Sequence, residues 1–416
     1  MTTQAINPSR PIALESRALV PGPAAITAML IVLAAWYLNA VISWRQAALF
    51  LVGAGAGVVL YHAAFGFTSA WRIFIADRRG AGLRAQMLML AITCAVFFPL
   101  LAAGTFMGQP VRGSVSPVSV GVAAGAFIFG VGMQLGGGCA SGTLFSVGGG
   151  SMRMLITLFF FIIGSVIGTA HMGWWTAQKV FRGPTSIVTE MGPWPALAAS
   201  FALFGAIAWF TMFAERKRHG QLIDDTGPAR PSTSLRAGGP RWLTGPWPLV
   251  AGAIGLALVN IATLTIGGRP WGVTSAFALW GAKWFAALGI DVASWSYWTA
   301  PAQATALKSS VLMDVTSVMD FGIILGALLA AILAGRFAPV WTVSGRSAAA
   351  AVIGGLLLGY GARIAYGCNI GAYFSGIASG SLHGWLWLVA AFVGNIAGTS
   401  LRPMFDLRVE KTRTAC

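Results

Sequence analysis

The chain has 416 residues, of which 56% are hydrophobic and 9% charged, with 54 glycines, 17 tryptophans and a mean hydropathy of +0.75. Ordinary soluble domains carry roughly 25% charged residues, so this composition excludes a soluble fold and identifies a polytopic membrane protein. Four cysteines with no CxxC pair and no Cys/His cluster exclude a disulfide scaffold and offer no zinc site.

A bilayer core takes about 20 apolar residues per helix. Runs of that kind fall at 21–44, 47–65, 85–107, 117–136, 153–172, 194–214, 246–266, 316–335, 345–366 and 382–400. The pattern predicts an all-α integral membrane protein of about ten transmembrane helices. Arg10 and Arg17 precede the first run as in a signal peptide. Its length and the lack of a small-x-small cleavage site make it an anchor instead. With the N-terminus inside and the spans alternating, 19 of the 27 Lys and Arg lie inside, seven outside, and Arg363 falls within a span. That asymmetry follows the positive-inside rule and accounts for the net charge of +16, so no nucleic-acid partner is expected.

Residues 215–245 form the one long polar stretch, rich in Pro, Gly, Ser and basic residues. The expected organisation is a cytoplasmic segment 1–20, a first membrane repeat 21–214, this basic cytoplasmic linker, a second repeat 246–403 and a cytoplasmic tail 404–416.

The two halves share motifs in the same order. Gly66-Phe67-Thr68-Ser69-Ala70 recurs as Gly272-Val273-Thr274-Ser275-Ala276, and 130–146 matches 359–375 with seven identities in seventeen positions and no gap. Cys139, Phe145 and Ser146 align with Cys368, Phe374 and Ser375, which makes internal duplication the better explanation than glycine coincidence. On the topology above, Thr68 and Cys139 enter from the cytoplasmic side and Thr274 and Cys368 from the other. The repeats are therefore expected to be inverted, as in many secondary transporters whose sites lie at the repeat interface near the midplane.

The second motif also breaks its helix. Forty uncharged positions run from Gly113 to Met152 and 38 from Ile364 to Leu401, too long for one span and too tight for two. Nine of the 21 residues from Gly130 to Gly150 are glycine, each costing a helix interior about 1 kcal/mol. The expectation is a full helix, a turn at the cysteine, and a short re-entrant half-helix starting near Ser141 or Ile370. Irregular backbone at membrane depth survives only where protein or a water-filled path covers it.

A half-helix N-terminus favours an anion, and a thiol can contact soft sulfur as well as oxygen. Cys139 and Cys368 are the leading candidates, expected to act as neutral thiols because a thiolate would repel an anion. Gly138, Gly142, Gly367 and Gly371 at the turns, with Ser141, Thr143, Asn369, Thr68, Ser69, Thr274 and Ser275, either contact substrate or serve close helix packing. Arg363, a charge inside a span, either attracts an anion or pairs with Asp314 or Asp320. Cys94 fits an inert core position. His62 fits a proton relay or a hydrogen-bonded core histidine, His171 and His383 fit span ends, and His219 falls in the linker.

Around Gly138-Cys139-Ala140-Ser141-Gly142-Thr143-Leu144 and Gly367-Cys368-Asn369-Ile370-Gly371, the chain resembles the YeeE/YedE family of sulfur-compound permeases, from about residue 47 to 403. The resemblance implies a bacterial inner-membrane importer with a pseudo-two-fold, hourglass-like body. Thiosulfate would pass along cysteines through transient S–H···S contacts, Cys139 and Cys368 being two of the stations. It also implies a cytoplasmic sulfurtransferase-like partner. Family members often carry a further cysteine in the first hairpin, where this chain has Gly66. That leaves two stations and brings other sulfur or selenium species into consideration. A rival reading from another class is an intramembrane thiol–disulfide oxidoreductase built on the same two cysteines. A permease with no enzymatic activity, no cofactor and no metal is the expectation.

Overall fold

A computed structural model describes residues 21–223, 240–339 and 341–409. Arg10, Arg17, Arg230, Arg236, Lys411, Arg413 and Cys416 lie outside the described residues. The first half comprises α1 (Pro21–Val41), α2 (Trp44–Ala63), α3 (Phe67–Asp77), α4 (Ala81–Ala103), α5 (Val120–Gly136), α6 (Ala140–Gly148), α7 (Met152–Ala170), α8 (Met172–Thr176), α9 (Ile187–Met191) and α10 (Pro193–His219). The second comprises α11 (Arg241–Thr244), α12 (Leu249–Gly267), α13 (Thr274–Ala287), α14 (Pro301–Lys308), α15 (Val315–Leu333), α16 (Gly345–Ile364), a π-helical turn at Asn369–Phe374, α17 (Ser375–Ala378) and α18 (Leu382–Leu401). Two minimal antiparallel ribbons are the only sheet among the described residues.

Among the described residues ten helical segments are long and apolar enough to cross a membrane, which makes this an all-α multi-pass membrane protein. Three of the ten, Trp44–Asp77, Val120–Gly148 and Gly345–Ala378, contain a break. Starts are set by local chemistry: Ser43, Ser119 and Ser344 hydroxyls accept from backbone N–H groups three residues on, and the Asp314 carboxylate accepts from the Ser317 N–H at 2.8 Å. Each such cap satisfies a donor that the helix itself leaves unpaired. α10 runs on to His219, five residues past the expected span end, and its last turn carries Arg216, Lys217 and Arg218.

The order helix, short helix, helix, helix, short helix, helix occurs twice: α2 to α7, and again as α12, α13, α15, α16, the π turn with α17, and α18. Packing is reciprocal. α2 lies on α15 and α12 on α4; α5 lies on α18 and α16 on α7; α3 meets α18 and α13 meets α7; α6 meets α15 and α17 meets α4. Small residues permit these contacts, as lipid-embedded helices require for close van der Waals packing. Gly53 and Gly57 of α2 face the backbone of Met319 and Ile323, and Gly322 and Gly326 of α15 face Phe50 and Ala54. A Cβ at Gly326 would stand 1.9 Å from the Ala54 carbonyl oxygen.

α1 and α10 stand outside these two sets of helices. Ile26, Leu30, Leu33 and Trp36 on α1 and Phe201, Trp209, Phe210 and Phe213 on α10 are exposed, the surface a bilayer would cover. α10 is anchored at its end: buried Glu215 accepts from Arg84 at 2.6 Å, the Gly80 N–H at 3.2 Å and the Ile223 N–H at 3.0 Å.

Candidate substrate path at the broken helices

Both cysteine motifs break their helices where the glycines predict. α5 ends at Gly136, the chain turns through Gly137 at φ +90°, and α6 starts at Ala140. α16 ends at Ile364 and the π turn starts at Asn369. These starts fall within one residue of the expected Ser141 and Ile370. Cys139 and Cys368 are the N-capping residues, in extended backbone, and both are buried. Their neighbours Gly138 and Gly367 let the incoming strand pass beneath the first turn. A Cβ on Gly138 would lie 3.2 Å from the Thr143 nitrogen, and one on Gly367 would lie 2.7 Å from the Ala372 nitrogen. Gly367 also has φ +151°, a conformation a side chain strains.

The two caps differ in detail. Cys139 Sγ accepts from the Gly142 N–H at 3.4 Å and lies 3.4 Å from Ser141 Oγ, while Thr143 Oγ1 donates to the Cys139 carbonyl at 2.9 Å. Cys368 makes no side-chain cap bond, and its carbonyl accepts from the Ala372 and Tyr373 N–H groups at 2.9 and 3.3 Å. Next to it Asn369 is fully buried, with neither amide atom hydrogen-bonded. A Cβ added at Gly371 would meet nothing within 4 Å, and the Gly371 carbonyl accepts from Ser114 Oγ at 3.4 Å. Open space therefore adjoins the second cysteine turn.

These elements converge. α6 packs against both the π turn and α15, the helix that carries Asp320. The first motif joins from the side: Phe67 stands edge-on to Tyr373 at 6.2 Å, and the Thr68 carbonyl accepts from Gln134 Nε2 at 3.3 Å. Thr68 Oγ1 is buried with no partner, whereas the Ser69 hydroxyl donates to the Gly66 carbonyl at 3.1 Å. The counterpart Thr274 begins α13, buried, and Ser275 Oγ donates to Thr316 Oγ1 at 2.9 Å. Ser141, Thr143 and Ser275 thus have protein partners, whereas Thr68 Oγ1 and both Asn369 amide atoms have no hydrogen-bond partner among the described residues.

Arg363 is placed elsewhere than beside an acid. It donates to Tyr297 Oη at 2.9 Å and stacks over that ring at 5.0 Å, so Asp314 and Asp320 are not its partners. Asp314 instead caps α15 and stands 3.7 Å from Arg269. His62 packs on Trp247 with ring centroids 5.3 Å apart, His171 lies 3.2 Å from Tyr360 Oη, and His219 bonds the Asp77 carbonyl at 2.7 Å. His383, expected at a span end, is fully buried and bonded to Ser381 Oγ at 2.6 Å. Cys94 is buried with its sulfur 3.9 Å from the Ile377 carbonyl, a core position.

Two features have a place beside the site that the sequence reading did not give them. Gln86 Oε1 accepts from Trp71 Nε1 at 2.9 Å and Tyr373 Oη at 3.4 Å, fixing a fully buried aromatic cluster of Phe67, Trp71, Tyr373 and Trp387 around the π turn. Asp320, sixth residue of α15, is fully buried and neither carboxyl oxygen has a hydrogen-bond partner. The aromatic residues next to the motifs were a visible signal for the first. A lone acid in an apolar run was the signal for the second.

Comparison with known proteins agrees with this architecture. The family described as "Sulphur transport" matches residues 62–397. The chain is 28% identical over 367 residues to the "Thiosulfate transporter TsuA" of Spirochaeta thermophila, covering 83% of this chain and 95% of that protein. It is 25% identical over 354 residues to the Escherichia coli K12 protein of the same name, covering 83% and 91%. It is 30% identical over 176 residues to the "Probable transporter YedE" of E. coli K12, a match that spans 42% of this chain and only 43% of that relative. With ten helices among the described residues long and apolar enough to cross a membrane, two cysteine-capped breaks and a family match over most of its length, the chain belongs to the sulphur transport, or YeeE/YedE, family.

Proposed function

We propose that this protein is a permease for a small sulfur-containing ion, thiosulfate in the first instance, taken up across a bacterial inner membrane with both termini in the cytoplasm. The observation that carries this reading is the meeting of two short helices, each capped by a buried cysteine, beside an Asn369 amide that no protein group satisfies. A buried amide without a partner is costly, and a ligand oxygen or hydroxyl would relieve it. The two helix starts supply N–H groups that favour an anion, and the thiols of Cys139 and Cys368 supply soft contacts along the way. The recurrence of element order, with reciprocal packing, supports two inverted repeats around this point. Two relatives carry thiosulfate in their printed names, which sets the first ion to try.

On this reading Gly138, Gly142, Gly367 and Gly371 keep the path open, and Thr68, Ser69, Ser141, Thr143, Thr274, Ser275 and Arg363 line or support it. A sulfurtransferase-like protein at the cytoplasmic face would receive the ion. The test is uptake of labelled thiosulfate into proteoliposomes by the wild-type protein, Cys139→Ala and Cys368→Ala. Uptake lost in both variants supports the reading. Equal uptake by all three would remove the cysteine path, and no wild-type uptake would remove thiosulfate as the ion.

A further inference from the structure

Among the described residues, Asp320 is a buried acid that the path described above does not use and whose two carboxyl oxygens have no hydrogen-bond partner. Its neighbours on α15 locate it. One turn earlier Thr316 is held by Ser275 of the repeated Thr-Ser-Ala motif, and one turn later the Ile324 carbonyl is approached by Gly148 of α6. Residues 316, 320 and 324 share one helix face, so Asp320 lies between the α13 motif and the half-helix capped by Cys139. The side chain has no exposed surface and neither oxygen has a hydrogen-bond partner.

The other ionisable groups on the packed elements do not neutralise it. Tyr37 on α1 is exposed. On α2, Arg45 lies over Trp44, Tyr61 stands edge-on to His62, and His62 packs on Trp247. Lys283 on α13 donates to the Leu307 and Ser309 carbonyls, Arg241 on α11 is exposed, and Arg336 lies beyond the end of α15. α6 and the π turn bring Cys139, Cys368 and Tyr373, and the last bonds Gln86. The charge nearest in kind is Asp314 on the same helix, an acid that repels. An ionised carboxylate in this setting is cut off from solvent and has no counter-ion among the described residues, which membrane interiors tolerate poorly. A second negative charge arriving beside it would make matters worse.

We infer that Asp320 is a proton-binding site that couples anion movement to a proton gradient. The inference rests on the permease reading above. The carboxylate takes one proton from the aqueous side of entry, and the resulting acid O–H is free to donate to the anion. Once the anion has moved on, the same proton leaves to the opposite side. One O–H bond forms and later breaks, and nothing is oxidised or reduced. The coupled species is a proton and not a metal cation, because a cation would need several converging oxygens where one carboxyl group stands.

The experiment uses the purified full chain in proteoliposomes, as wild type, Asp320→Asn and Asp320→Glu. Labelled thiosulfate uptake is followed with no gradient, with an inward proton gradient, and with an inward sodium gradient. Several-fold stimulation of the wild type by the proton gradient, abolished by a protonophore, absent in Asp320→Asn and restored in Asp320→Glu, is the expected result. Stimulation of equal size in Asp320→Asn, stimulation by sodium alone, or a gradient-independent wild type overturns it. Infrared spectroscopy of the same proteins supplies a readout independent of the ion carried. At neutral pH the wild type is expected to show a protonated-carboxyl C=O band that Asp320→Asn lacks, and an Asp320 found ionised overturns the inference. If no thiosulfate enters under any gradient, the substrate reading fails and the infrared result alone decides on Asp320.

Discussion

Gln134 Nε2 donates to Asn395 Oδ1 at 2.6 Å, and by that bond the last turn of the helix before Cys139 is tied to the helix that follows Cys368. The same amide reaches the Thr68 carbonyl at 3.3 Å, so one side chain registers three of the elements that carry motif residues. All of this is buried, where an unpaired polar group costs about 1–3 kcal/mol. Gln134→Leu is therefore expected to destabilise by about that amount. Gln134→Leu combined with Asn395→Leu should lose less than the sum of the single changes. A double-mutant cycle on thermal unfolding in detergent checks this; additive losses would show that the bond contributes nothing.

Cys139→Ala and Cys368→Ala are expected to fold and to lower uptake. A lost hydrogen bond of about 1–1.5 kcal/mol at a station along the path corresponds to roughly five- to tenfold in rate. Cys94→Ala removes a sulfur of similar burial that caps neither turn and should leave uptake unchanged. Equal losses for all three would make the effect one of packing alone.

Gly371 allows a sharper separation of path from fold. With nothing within 4 Å of a Cβ there and no left-handed backbone, Gly371→Val is expected to keep wild-type stability while narrowing the space beside Cys368. Uptake should fall with the melting temperature within a few degrees of wild type. A Gly371→Val protein that transports normally would place the route elsewhere.

Arg363 is predicted to act through Tyr297. Tyr297→Phe removes the 2.9 Å bond and keeps the stacked ring, so it should cost about 1 kcal/mol of stability. Arg363→Gln removes the charge as well. A rise in KM for uptake seen with Arg363→Gln and not with Tyr297→Phe would show that the guanidinium meets the anion. Matching KM values would make the arginine a packing residue.

Much of this was legible because membrane sequences report their own depth. The apolar runs located the ten spans, and glycine density with charge-free length located the breaks at Cys139 and Cys368 to within a residue. Periodicity could not show what depends on distant chain segments. The partner of Arg363 is a tyrosine 66 positions earlier, in a connection between α13 and α14 that no apolar run marks. Asp320 shows in the sequence only as an acid inside an apolar run; the packing of α6, α13 and α2 on α15 is what makes it a buried acid without a hydrogen-bond partner. The π turn after Cys368, where the first half has a regular helix, also has no signature in composition.

Glu215 offers a separate check on how the outer helix is held. Its carboxylate is fully buried and receives three donors, so Arg84→Met, which leaves the acid without its counter-ion, should destabilise by about 3–5 kcal/mol. Arg84→Met with Glu215→Gln should recover part of that loss. Hydrogen exchange at the α3–α4 turn is the measurement; protection there unchanged in Arg84→Met would mean the ion pair is dispensable.

Because α2 is covered by α15, α5 by α18, and α7 by α16, the helices of each half find much of their burial on the other half. A ribosome delivering this chain into a bilayer therefore releases α2 through α7 long before their covering surfaces exist. The early helices must wait in lipid as a loose set, with the Cys139 turn exposed, until α15 to α18 arrive. The meeting of the two cysteine turns is in that sense the seam of an assembly. Two separately expressed fragments cut within 224–239 should find one another in the membrane and rebuild it, much as subunits do.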